Sequence, residues 1–255
     1  MFRSFAAFAA ALTLAAQAPA ADAKKLSIRW HGQAFFEIQS SKGVRIAIDP
    51  HAIDTFGRKE LKKVDFICLS HNHNDHTQVG VIQNGKDTKT YRGLLDKKGD
   101  GKRVEWNILD EKFKGIHVQT VGVYHDDLQG MTRGKNAIFI LEVDGFRIVH
   151  LGDLGHLLTK EQIKKIGRVD ILMIPIGGVY TINGSEAKKV VDQLKPRYYI
   201  LPMHYGNKMY DDLLNADEFL EEQDLKINRP RENLLQIAVD AKPPPRPVIE
   251  VLNWK

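Results

Sequence analysis

The residues best able to do chemistry lie in one short string, His71-Asn72-His73-Asn74-Asp75-His76, which holds three of the chain's ten histidines. The string follows directly on an apolar run, Val64 to Leu69. In an extended segment residues two apart face the same side, so His71 and His73 can grip one cation together. Asp75 and His76 fall where the segment curls into a helix start, and there a carboxylate and an imidazole can serve a second, nearby cation. A bare His-x-His is an ordinary surface feature, but the full His-x-His-x-Asp-His string straight after a buried strand points to a metal site. Two metals need more ligands than this loop provides. His125 follows the run Val118 to Tyr124, Asp153 follows Phe146 to Leu151, and His204 follows Tyr198 to Pro202. Each lies just past a strand end, on loops that stacked sheets bring to one rim.

Strands must therefore deliver these loops. Leu26 to Trp30, Ala34 to Ile38 and Val44 to Ile48 predict an antiparallel meander, the last two joined by Ser40-Ser41-Lys42-Gly43. Ile116 to Tyr124, Ala137 to Val143 and Phe146 to Leu151 predict a second meander, with Asp144-Gly145 as a two-residue hairpin turn. Val64 to Leu69 and Val169 to Ile176 read as buried strands, and Tyr198 to Pro202 as a further strand. Helices are expected over Thr159 to Ile166, with a Thr159 cap and Gln162 at the third helical position, over Ser185 to Leu194 and over Asp211 to Gln223. Residues 77 to 114 are expected to form a helix start and an irregular surface insertion. Pro243-Pro244-Pro245 predicts an exposed turn feeding an edge strand over Val248 to Leu252. Two rounds of strands followed by helices imply an α/β (α+β) chain of two stacked sheets with helices on their outer faces.

Composition narrows the class. With 43% hydrophobic and 27% charged residues, the chain is globular rather than disordered or collagenous. A single cysteine, Cys68, excludes a disulfide-stapled scaffold and a Cys-rich zinc module. Its apolar flanks predict a packed core thiol. Met1-Phe2-Arg3, the Ala/Leu/Phe run from Phe5 to Ala16, and Ala18-Pro19-Ala20 or Ala21-Asp22-Ala23 read as a signal peptide over residues 1 to 23, which leaves one domain over 24 to 255. The run falls short of the roughly 20 strongly apolar residues of a span, so an exported protein, periplasmic or secreted, with no stable membrane span after cleavage is expected. The net charge of +5 comes from lysines scattered in pairs, and without clustered cations and interleaved aromatics a nucleic-acid partner is not expected.

Taken in order, Leu69-Ser70-His71-Asn72-His73-Asn74-Asp75-His76, the lone His125, His150-Leu151-Gly152-Asp153 and Pro202-Met203-His204-Tyr205 resemble the successive metal motifs of the metallo-β-lactamase superfamily. Ile48-Asp49-Pro50 and Ile174-Pro175-Ile176-Gly177-Gly178 make the chain similar to the branch typified by ascorbate-6-phosphate lactonase and related metal-dependent hydrolases. The resemblance spans residues 26 to 206 and is specific for fold and metal site, not for substrate. It implies an αββα four-layer sandwich, the metallo-β-lactamase fold. It further implies that His71, His73 and His125 bind a first metal, that Asp75, His76 and His204 bind a second, and that Asp153 bridges both. The chain departs from the pattern at Trp30-His31-Gly32-Gln33-Ala34, where close relatives often read Gly-His followed by Ser or Ala and the histidine here is displaced by two positions.

Two divalent cations about 3.5 to 4 Å apart lower the pKa of a shared water toward ~7, which makes hydroxide available as a nucleophile without any serine or cysteine. Imidazoles suit Zn2+, while carboxylates and water also admit Mn2+ or Fe2+. By resemblance, Asp75 relays a proton to the leaving group, and Asp153 joins it as a catalytic residue. Asp49 is either a second acceptor orienting a ligand imidazole or simply the turn residue before Pro50. His31, His156, Tyr180 and Tyr205 are candidates for contacting substrate from the pocket mouth. His117 is expected to be structural, His51 solvated, and His150 a buried hydrogen-bonded support. Three functions fit: a hydrolase of small esters or lactones, a metal-dependent phosphodiesterase acting on phospholipid or nucleotide, and a non-catalytic metal binder.

Overall fold

The computed structural model describes residues 24–57, 60–96, 104–207 and 210–254; the expected signal peptide lies outside them. Five strands come first: β1 (Lys25–Trp30), β2 (Phe36–Gln39), β3 (Arg45–Ile48), β4 (Phe66–Leu69) and β5 (Lys89–Arg92). A short ribbon, β6 (Leu94–Asp96) and β7 (Val104–Trp106), leads to β8 (Asp110–Phe113), β9 (Ile116–Tyr124), β10 (Lys135–Val143) and β11 (Phe146–His150). Helices then alternate with strands: α1 (Lys160–Ile166), β12 (Ile171–Pro175), α2 (Gly184–Leu194), β13 (Tyr199–Met203) and α3 (Asp217–Leu220). The chain closes with β14 (Lys226–Asn228), β15 (Leu234–Ala238) and β16 (Val248–Glu250). Among the described residues these make one sheet in the order β15-β1-β2-β3-β4-β5 and a second in the order β14-β16-β13-β12-β11-β10-β9-β8.

Burial explains the stacking. Successive side chains of a strand point to opposite faces. On β10, Phe139 and Leu141 join Leu26, Ile28, Phe36 and Phe66 in the core between the sheets. Ile138 and Ile140 point the other way and pack with Ala187, Val190 and Leu194 of α2 and with Phe219 of α3. The first sheet is covered differently. Phe35, Ala47, Ile67 and Leu69 lie under Leu61, Val64 and Ile82, in a segment of 3-10 turns rather than α-helix. Its remaining outer face stays polar, with Arg29, Glu37, Gln39 and Arg45 lining a groove.

Parallel pairing aims the loops. β3 with β4, and β11 with β12 and β13, run parallel, so their carboxyl ends fall at one rim. β9 and β11 are both antiparallel to the intervening β10, so β9 ends at that rim too. The Asp144-Gly145 turn forms as expected, with both residues at positive φ and Val143 paired to Phe146. Thr159 and Gln162 form the expected capping box of α1.

Three local expectations change. Residues 77 to 114 contribute β5 to the first sheet by parallel pairing with β4, β8 to the second by a hairpin with β9, and the β6-β7 ribbon between them. Asp211 to Gln223 shortens to the single turn of α3: Leu214 N–H donates to Gly177 O at 2.9 Å, which draws the preceding residues out of the helix. The terminal strand β16 is not an edge but lies between β13 and β14.

Candidate metal centre

Seven side chains meet at the rim. His71, His73, Asp75 and His76 arrive on the loop after β4, which extends and then tightens into a 3-10 turn over Asn74–His76. His125 follows β9, Asp153 follows β11, and His204 follows β13. Close approach of the loops depends on glycine. A Cβ at Gly155 would stand 2.3 Å from the His125 carbonyl carbon, and one at Gly177 would stand 2.2 Å from the His204 carbonyl oxygen. His204 itself adopts φ +52°, strain of the sort functional sites hold.

The ligand atoms face one another. Oδ2 of Asp153 lies 3.1 Å from His125 Nε2, 3.1 Å from His204 Nε2, 3.2 Å from His76 Nε2 and 3.8 Å from His71 Nε2. Donor atoms of His71, His73 and His125 lie within 4.8 Å of one another, and so do those of Asp75, His76 and His204. His71 Nε2, His76 Nε2 and Asp153 Oδ1 are buried and lack hydrogen-bond partners. Buried polar atoms left so are costly. Imidazoles converging on a carboxylate with unused donor atoms fit divalent cations.

Charge at the cluster follows the same geometry. Burial opposes charge on His76, yet the surrounding Asp153, Asp49 and Asp75 carboxylates push this imidazole well above its ordinary value. Burial, reinforced by His76, holds His71 well below its own. Burial also works against an ionised Asp153, but His204 and His76 overrule it and keep the carboxyl well below the usual range.

Asp49 settles the ring tautomers. Its fully buried carboxylate accepts from Ser70 N at 2.7 Å, Ser70 Oγ at 2.6 Å and His76 Nδ1 at 3.0 Å. Ser70 Oγ in turn lies 2.9 Å from His71 Nδ1. With the hydroxyl proton given to Asp49, Ser70 accepts from His71, so both rings carry a proton on Nδ1 and turn Nε2 to the centre, where a bound cation would take the place of a second proton on His76. Asp49 can also be grouped with His71 and His76 as a ligand. Its oxygens are already taken by these donors, which makes it an orienting group.

A cavity of 390 Å³ opens over the cluster, lined by His73, Asp75, His125, Asp153 and His204, with Gln33, Thr132, Arg133, Tyr180 and Tyr210. Of the four candidate substrate contacts, Tyr180 lines it. His31 lies 3.6 Å from Glu37 and lines the polar groove on the outer face of the first sheet. His156 accepts the Tyr124 N–H at the end of β9 and donates to Leu157 O, so backbone groups take up both ring nitrogens. Tyr205 stacks on Trp30 at 5.4 Å, and burial pushes its phenol up.

Sequence reasoning missed the rest of the lining. Gln33 accepts from the Trp30 indole and from His204 N through its carbonyl oxygen, while its Nε2 donates to Asp75 Oδ2 at 3.0 Å. The departure at Trp30 to Ala34 was the one signal for it. Burial and the Asp75 carboxylate push Tyr210 up to about 12, leaving a neutral phenol in the cavity. Asp126 caps the next loop: its carboxylate accepts backbone N–H bonds from Leu128, Gly130, Thr132 and Arg133. Burial opposes its charge, but these donors hold it well below the usual range.

Other side chains match or correct their expected roles. His150 is the buried support expected, donating to Ala34 O and accepting from Gly152 N. Cys68 is buried, and burial with nearby Asp49 raises its thiol far out of the reactive range. His117 bridges Asp110 and Glu142 at the surface. His51 is not solvated: the rings of Phe35 and Phe56 enclose it, Nε2 donates to His31 O, and Nδ1 accepts from Ile53 N.

The sequence and architecture have known relatives. Residues 27–204 match the family described as the beta-lactamase superfamily domain. A protein of Thermococcus onnurineus named UPF0173 metal-dependent hydrolase is 30% identical over 193 residues, which cover 71% of this chain and 85% of the relative. A protein of the same name from Caldivirga maquilingensis is 31% identical over 193 residues, covering 70% and 82%. A crystal structure from Thermotoga maritima, of a protein proposed to be a zinc-dependent hydrolase of the metallo-β-lactamase superfamily, superposes with a TM-score of 0.64 at 32% identity. It covers 89% of this chain and 99% of its own. The chain belongs to the metallo-β-lactamase superfamily.

Proposed function

We propose that this chain is a dinuclear metallohydrolase of small ester or lactone substrates. The observation that carries the reading is the single Asp153 oxygen facing four imidazole nitrogens under an open cavity. His71, His73 and His125 would hold one cation, Asp75, His76 and His204 the other, with Asp153 between them. Two such cations, zinc by donor type with manganese or iron as alternatives, supply Lewis acidity and a water acidic enough to ionise near neutral pH. The residues do the rest. Asp49 and Ser70 fix the orientation of His71 and His76. Gln33 holds the Asp75 carboxylate at the cavity, where Asp75 is placed to carry a proton to the leaving oxygen. Tyr210 offers a neutral O–H donor to a substrate oxygen. The names of the relatives support hydrolysis, and residues 1 to 23 support export to the periplasm or beyond. No helix among the described residues is long and apolar enough to cross a membrane.

Elemental analysis after reconstitution should find two divalent ions per chain. Steady-state assays on lactones, simple esters, phosphodiesters and β-lactams should show the highest kcat/KM on the lactone or ester arm. A metal content near zero, or no turnover on any arm, would overturn the reading.

A further inference from the structure

Among the described residues lining the cavity, Arg133 is the one lysine or arginine. Several contacts hold it there. Its backbone N–H donates to Asp126 Oδ2 at 2.7 Å, Nη2 donates to Val179 O at 2.8 Å, and the guanidinium carbon lies 5.3 Å from the centre of the Tyr180 ring. His125 N–H donates to Gly134 O at 3.0 Å, closing the loop that begins at a ligand candidate and ends beside the arginine. The Asp126 cage therefore fixes the backbone at Arg133, and Val179 O with the Tyr180 ring holds its guanidinium.

What it lacks is an acid. Among the described residues no carboxylate pairs with Arg133, so its guanidinium keeps its charge uncompensated where it lines the cavity. A guanidinium offers five N–H donors in a planar fork, and one is spent on Val179. The cavity's own carboxylates are engaged elsewhere, Asp153 with imidazoles and Asp75 with Gln33 and His76. Divalent ions at the centre would more than cancel the charge of Asp75 and Asp153, leaving a cavity that attracts anions.

We infer that Arg133 is an anion-binding, specificity-determining residue, and that the substrate carries a carboxylate or phosphate group on the cavity side of Arg133 while its scissile bond lies at the centre. This rests on the proposed hydrolytic reading. A fork of parallel N–H donors recognises either oxyanion, and the size of the cavity limits the ligand to a small molecule. The guanidinium lies over the Tyr180 ring, and both residues line the cavity.

The test uses metal-loaded full-length protein and three versions of residue 133. Calorimetric titration with inorganic phosphate and with acetate reads the site without turnover. Arg133→Gln should weaken the tighter of the two anions at least tenfold, and Arg133→Lys should recover part of the loss, with metal content equal in all three proteins. The arm with the larger effect distinguishes phosphate from carboxylate. In parallel, the ratio of kcat/KM for an anionic ester over its neutral counterpart should fall at least tenfold in Arg133→Gln. Both anions binding Arg133→Gln within twofold of wild type would overturn the inference. So would loss of bound metal in the variants, which would make the residue a support of the centre. If the wild type hydrolyses neither ester, the hydrolytic reading fails, while the titration still decides the role of Arg133.

Discussion

Asp49→Asn is the most direct test of how the centre is organised. Asp49 sits at φ +49°, a conformation asparagine adopts as readily as aspartate, so the backbone gives no reason for strain. The change is felt in the hydrogen bonds. Three donors converge on the carboxylate: Ser70 N, Ser70 Oγ and His76 Nδ1. An amide offers one oxygen and one NH2, so with Ser70 N kept, the NH2 meets the other two donors. Ser70 can turn its hydroxyl to accept, but His76 then faces an N–H with its own N–H. Relief comes from moving the ring proton to Nε2, which removes the lone pair aimed at the centre. Losing one buried charge-assisted hydrogen bond, or making that tautomer switch, costs about 1 to 3 kcal/mol, consistent with the ~10- to 100-fold weakening typical of such orienting groups. Competition against a chelator of known affinity reads the metal dissociation constants directly. The weaker constant should rise by about that factor, while unfolding in urea with metal absent changes less. Both constants within twofold of wild type would refute the assignment of Asp49 as the group that fixes these imidazoles.

Asp153→Ala should abolish turnover and bound metal together, while His117→Ala, at a surface contact with Asp110 and Glu142, keeps most of both; elemental analysis and steady-state rates in the reverse order would break the ligand assignment. His51 gives a pH effect. Its enclosed ring is neutral in the fold, with burial lowering its pKa from 6.5 to about 4. Between those values the unfolded chain binds a proton that the folded chain refuses, so stability rises with pH there and is lost as pH falls below 6.5. From pH 7.5 to 5 this amounts to about 2 kcal/mol at ~1.4 kcal/mol per pH unit. Urea unfolding of metal-depleted protein should show that loss in the wild type relative to His51→Gln, and identical pH slopes would exclude it. Asp126→Ala removes the acceptor for four backbone N–H groups. About 2 to 3 kcal/mol of unfolding free energy should go with it, along with faster hydrogen exchange confined to residues 128 to 133; unchanged exchange there would show that the cage is not what orders the loop.

The candidate ligand string was readable because its chemistry is local. His71 to His76 lie within six consecutive positions, and the apolar runs before His125, Asp153 and His204 mark strands whose ends share a rim. What surrounds them was not readable, because it depends on distant chain segments meeting. Gln33 touches Asp75 across 42 positions, and Arg133 reaches Val179 across 46. Arg133 carries no signature in its own neighbourhood, and Gln33 only the departure at Trp30 to Ala34. His51 shows the same limit from the other side: an Asp-Pro turn suggests solvent, but Phe35 and Phe56 enclose the ring that follows it. Asp211 to Gln223 reads as a helix, and a backbone bond from Leu214 to Gly177 overrides that reading. Tertiary hydrogen bonding outranks helical periodicity over so short a stretch.

The candidate ligands come from both layers, His71, His73, Asp75 and His76 from the first sheet and His125, Asp153 and His204 from the second. Any ion gripped by both sets acts as a rivet through an otherwise apolar seam. Chelation should then loosen the whole sandwich as well as silence the site, lowering the melting temperature by an amount that tracks free-metal concentration. Proteases would feel it first. Scavenging of its metal would then shorten the lifetime of the fold as well as stop any turnover at the site.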